Sequence, residues 1–320
     1  MAMTQQPQDH DSLENRYLWD GEGPLDIEVA RLEQTLAPLR YQAPRSVWRP
    51  RLLAAFAVAA VAAMLALVVW TKAPQPVSSW TVARGESAAE QMRAGQVIAT
   101  DSGAPARLHS PDLGSLTVEP NSRIRLLKPA RGLERLALDY GVMRAFIWAP
   151  PAKFAVNTPA ATAVDLGCVY TLESDRRGDG RLAVEVGWVA LQHGKLEAFI
   201  PAGASCRIRH QSGPGLPVYA SADEAFRSAV SDWEQGDIEK LGEALSNARP
   251  EDALTLWHLI ARTEGEQRKR VVSRFTSLVE VPASLRVEDL LAAKPAAMDA
   301  AWDSLQLGST TWWRTWKQHL

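Results

Sequence analysis

The spacing of apolar residues changes character three times along the chain, and each change predicts a different kind of element. Residues 26–39 (DIEVARLEQTLAPL) place Val29, Leu32, Leu36 and Leu39 at helical spacing, with Glu28, Arg31, Glu33 and Gln34 facing elsewhere and Asp26 positioned as an N-cap. This predicts one short amphipathic helix. Residues 52–70 (LLAAFAVAAVAAMLALVVW) then run for nineteen positions without a charge, a proline or a glycine. At 1.5 Å per residue such a helix is about 28 Å long, close to the roughly 30 Å hydrocarbon core of a bilayer, and it satisfies every backbone group internally. A membrane span is the expected element. A cleaved secretory signal fits less well, because its apolar stretch is about 7–15 residues behind a short basic leader, whereas about fifty residues precede this run.

From about residue 80 to 210 the pattern becomes short apolar alternations bounded by Gly, Pro, Asn and Asp, which predicts strands. They are expected at 107–109, 115–118, 122–127, 135–138, 142–147, 154–156, 162–164, 169–173, 182–186, 188–192 and 206–208. Residues 136–143 (LALDYGVM) and 182–189 (LAVEVGWV) share their alternation, acid and glycine positions, so a repeated unit of stacked β layers is expected. From residue 221 the period returns to helical, with short helices expected at 222–233, 238–246, 251–263, 266–278, 287–293, 295–305 and 312–319, separated by Gly236, Pro250, Gly265, Pro282, Pro295 and Gly308. Short loops make sequential helices antiparallel neighbours. The predicted class is therefore α+β and multi-domain: a tail at 1–50, a span at 52–70, a stacked, β-helix-like all-β domain at 80–215 and an all-α array at 221–320.

Charge sets the orientation of the span. Arg40, Arg45, Arg49 and Arg51 precede it, against Lys72 and Arg84 after it, so the N-terminus is expected in the cytoplasm, with Trp48 and Trp70 at the two interfaces. The formal net charge is −2, and no basic stripe or aromatic platform suggests a nucleic-acid surface. Cys168 and Cys206 both fall on the expected outer side, where they are either a disulfide closing a loop of about forty residues or two separate buried small hydrophobes. Trp312, Trp313 and Trp316 place at least two indoles on one helical face.

Catalytic chemistry is not expected. His10, His109, His193, His210, His258 and His319 have no partner at metal-ligand spacing, and no nucleophile elbow, phosphate loop or dinucleotide fingerprint is present. Neither a cofactor nor a metal site is predicted.

Seven blocks along the β segment resemble, in order, those of the FecR domain: 95–100 (GQVIAT), 115–122 (SLTVEPNS), 138–141 (LDYG), 154–158 (FAVNT), 164–170 (VDLGCVY), 184–189 (VEVGWV) and the Ala202-Gly203 pair. They span about residues 94–210. The resemblance implies a single-pass inner-membrane protein of a Gram-negative bacterium, an anti-sigma factor or regulator that relays a periplasmic signal to transcription. Its implied partners are an extracytoplasmic-function sigma factor on the cytoplasmic side and a periplasmic or outer-membrane protein on the other. Tyr17, Leu18, Trp19, Leu32 and Leu36 are the expected sigma-factor contacts. Cys168 stands where the family pattern has Thr, and the helical segment after 221 has no counterpart in that pattern. The alternative is an envelope adaptor that binds another protein or a glycan and uses its N-terminal segment only as an anchor.

Overall fold

A computed structural model describes residues 27–39, 80–85, 88–130 and 132–308. Tyr17, Leu18 and Trp19, the run at 52–70 with Trp48 and Trp70, and the Trp312, Trp313 and Trp316 cluster lie outside the described residues. Within them, no helix is long and apolar enough to cross a membrane. The chain divides into two units, Met1–Ala73 and Pro74–Leu320. In the first, helix α1 (Ile27–Leu36) forms where the apolar spacing predicts it and tightens into a 3₁₀ turn at Ala37–Leu39, where Pro38 removes a backbone donor.

The second unit is α+β. Among the described residues fifteen strands form one continuous mixed sheet folded into two layers. Its pivot is the fourteen-residue β7 (Glu134–Ile147). The first half of β7 pairs with β6 (Arg123–Leu126) and, in parallel, with β8 (Phe154–Asn157). Its second half pairs with β5 (Gly114–Val118) and β10 (Val169–Ser174). One layer continues through β4 (Ala106–Ser110), β1 (Thr81–Arg84) and β2 (Glu90–Gln91) on one side and β11 (Gly180–Val186), β14 (Ala204–Arg209) and β15 (Gly213–Tyr219) on the other. The other layer holds β3 (Val97–Ala99), β9 (Thr162–Asp165), β12 (Trp188–His193) and β13 (Leu196–Pro201).

Every pair except β7 with β8 is antiparallel, which corrects the expected β-helix-like stacking. Coils of a β-helix need parallel neighbours, whereas hairpin-length loops produce antiparallel ones. The repeat seen in the sequence keeps a physical meaning. At Gly141 (φ 102°) β7 passes from one layer to the other, and at Gly187 (φ 76°) the chain leaves β11 for β12 in the opposite layer. A Cβ at Gly141 would collide with Ser122, and one at Gly187 with the Gly167 carbonyl, so both corners require the missing side chain.

Alternating burial leaves β4, β5 and β6 each with one wetter side, and their dry sides contribute Leu108, Leu116 and Ile124 to the core, with Leu136 and Leu138 of β7, Trp80 and Tyr170. Helices α2 (Glu224–Glu234), α3 (Lys240–Asn247), α4 (Ala253–Arg262), α5 (Gly265–Leu278), α6 (Val287–Leu291) and α7 (Pro295–Asp303) share that core through Phe226, Leu256, Phe275 and Trp302. Thr255 of α4 donates to the Pro217 carbonyl of β15 (2.7 Å), and Trp302 of α7 packs on Trp188 and Phe199 with ring centroids 5.8 Å apart in each case. The change from strands to helices after β15 therefore occurs inside one shared core.

Candidate functional site

On α1, Leu32 and Leu36 lie one turn apart on the same face, 60% and 54% exposed, with Ile27 83% exposed at the helix start. Thr35 bonds the Arg31 carbonyl at 2.8 Å, which fastens the last turn. A ten-residue helix is marginal in water without a surface to cover its apolar side. The arrangement leaves two leucines exposed on one face, the spacing that amphipathic helices use when they dock into a groove. The side chains of Val29 and Leu39 lie outside the described set.

The two cysteines are free and buried in separate environments, the second of the two alternatives, and the possible disulfide is not formed. Val169, next to Cys168, lies opposite Val186, whereas Cys206 lies opposite Leu182. Four residues of β11 separate those positions, about 13 Å at 3.3 Å per residue, and a disulfide needs Cα atoms within about 7 Å. Cys168 instead donates its thiol to Asp165 Oδ2 at 2.7 Å, and Cys206 to the Gly215 carbonyl at 3.3 Å. Burial pushes both thiols up, Cys206 to about 12, so neither is a ready nucleophile.

Asp165 sits at the turn from β9 to β10, nearly inaccessible, with Oδ1 accepting the Gly167 N–H at 2.7 Å. Desolvation raises its pKa to about 7 against the lowering effect of its two hydrogen bonds. Tyr170 is buried beside it, its hydroxyl without a hydrogen-bond partner among the described residues, and burial followed by the Asp165 charge pushes that group well up. These are core groups of the corner that holds Gly167 against Gly187. Among the described residues no group of three or more His, Cys, Asp or Glu is placed to hold a metal ion.

Two surface features were not visible in the sequence. Phe146, Trp148 and Val186 are about half exposed on the outer face of the layer, with Trp148 fixed by its Nε1–H to the Pro111 carbonyl at 3.1 Å. A polar cleft of about 370 Å³ opens between β14, β15 and α2, lined among others by Arg181, Ser205, Arg207, Arg227, Ser231 and Glu234. Strand register alone brings Arg181 of β11 opposite Arg207 of β14.

No protein-family model matches the chain, and no curated protein matches it in sequence. Among solved structures, two crystal structures of a proposed anti-sigma factor from Parabacteroides distasonis, at 2.50 and 1.65 Å resolution, are similar at 15% identity with TM-scores of 0.35 and 0.34. Each match covers 44% of this chain and spans 65% of the length of the matched one.

Proposed function

We propose that this chain is a single-pass inner-membrane regulator whose N-terminal segment holds a sigma factor in the cytoplasm while the β-plus-α unit receives a periplasmic signal. The observation that carries the reading is the pair of exposed leucines on α1, Leu32 and Leu36, separated in sequence from the unit Pro74–Leu320 by the apolar run at 52–70. The FecR-like blocks at 95–203 supply the sensing half of the proposal, and the arginines before residue 52 supply its orientation. Signalling would operate by differential binding: the periplasmic event stabilises one state of the whole chain, and that state holds the sigma factor less tightly. The reading assigns the protein a binding role with no catalytic step and no cofactor.

A second reading, the envelope adaptor, is favoured by the Phe146, Trp148 and Val186 patch, since half-exposed aromatics on an outer sheet face suit a protein or glycan partner. Both readings require a span, and reporter fusions test it. An alkaline phosphatase fused after residue 320 is expected to be active and a green fluorescent protein fused there dark. Activity of the cytoplasmic reporter instead would overturn the proposed orientation.

A further inference from the structure

We propose that the cleft between β14, β15 and α2 binds a small oxyanion, a phosphate or carboxylate group, held between the Arg181 and Arg207 guanidinium groups. Arg181 and Arg207 are directly opposed across β11 and β14, an arrangement of like charges that costs stability in a sheet unless something neutralises it. Neither has a carboxylate at ion-pair distance among the described residues. Arg181 donates only to Ser205 Oγ (2.9 Å), and Arg207 to Ser231 Oγ. Ser231 Oγ also accepts from Gln235 Nε2 at 3.1 Å. Both serine oxygens are thus occupied as acceptors, and no acceptor for their O–H groups is found among the described residues.

Two carboxylates, Glu224 and Glu234, also line the cleft. Glu224 pairs with Arg227 at the mouth of the cleft. Burial raises the Glu234 pKa against the lowering effect of the Leu216 N–H it accepts and of Arg262, Arg209 and Arg207, so one carboxylate lies among three guanidinium groups. Glu173, opposite Arg181 on β10, forms no ion pair with it. Arg181, Arg207, Ser205 and Ser231 therefore line one cleft of about 370 Å³, the lower range of small-molecule pockets. Guanidinium forks match the paired oxygens of phosphate and carboxylate, and serine O–H groups complete such a cradle.

Calorimetric titration of the full chain in detergent solution at low ionic strength and pH 7, with sodium pyrophosphate in one arm and sodium citrate in the other, tests the proposal. Sodium chloride at matched ionic strength is the control. One-to-one saturable binding of at least one probe is expected, and the arm that binds identifies the oxyanion. Arg181→Gln is expected to weaken it at least tenfold, and Ser205→Ala, which keeps the charge, several-fold. The melting temperature of Arg181→Gln without added anion is expected to stay at or above that of the unchanged protein, since one like charge has gone. Absence of saturable binding in both arms, or equal affinity in both variants, would overturn the proposal.

Discussion

Asp165 is a carboxyl group held out of water at the corner between β9 and β10, and its environment sets a pH dependence that can be isolated. Its pKa rises from 3.8 to about 7, so between those values the folded chain holds a proton that the unfolded chain has released. Stability from this group is full below pH 4 and is lost as the pH rises through 7. His258 works in the opposite sense: burial lowers it to about 3, so its contribution is present above pH 6.5 and lost as the pH falls toward 3. The difference between a variant and the parent removes the histidine from the comparison. Asp165→Asn can still accept the Gly167 N–H and carries no charge, so it is expected to gain on the parent by about 3–4 kcal/mol between pH 4 and pH 8, at 1.36 kcal/mol per unit. Urea unfolding at the two pH values measures this, and a constant difference would contradict it. The corner glycines Gly141, Gly167 and Gly187 were legible as turn positions because positive φ has a sequence signature. The buried acid was not, since nothing in the string VDLGCVY distinguishes an inward Asp from a solvated one.

At the scale of elements, the edge of β13 shows how the helices serve the sheet. Phe199 N–H points away from the β12 ladder and donates to His258 Nε2 at 3.1 Å, while His258 Nδ1 bonds the Leu254 carbonyl at 2.9 Å. The bond from Phe199 makes Nε2 the acceptor, and burial keeps the ring neutral. An edge strand is thereby covered by a helix that accepts its outward N–H. His258→Ala is expected to destabilise the unit by about 3 kcal/mol, combining a cavity with a buried unpaired N–H, read by thermal or urea unfolding. A loss below about 1 kcal/mol would show that the edge does not depend on this bond. The apolar period located α2 to α7 to within a few residues, because each is closed by a glycine, proline or polar turn. It missed β15, GPGLPVY, since two glycines and two prolines read as a loop. It missed β1, β2 and β3 because two to four residues carry too little alternation. It also missed the cleft, whose Arg181 and Ser205 are twenty-four residues apart and meet only through register.

The whole molecule is a sequence of unlike parts. A helix with two exposed leucines and an apolar run long enough to span a bilayer precede a two-layer sheet with helices sharing its core. The two layers follow from residues 136–143 and 182–189, whose glycines send the chain from one layer to the other; the antiparallel pairing needed the loops as well as the strands. The proposed account makes the first helix a clamp and the β-plus-α unit a receiver, with the oxyanion cleft as an independent binding feature of the latter. Its central claim is that Leu32 and Leu36 hold a sigma factor, and co-purification tests this most directly. Full chain carrying a C-terminal tag, extracted in mild detergent from its native membranes, is predicted to bring down a sigma factor identified by mass spectrometry. The double variant Leu32→Asp with Leu36→Asp is predicted to reach the membrane at the same level and recover at most a tenth as much. A sigma factor absent from the parent, or recovered equally with the variant, would contradict the account.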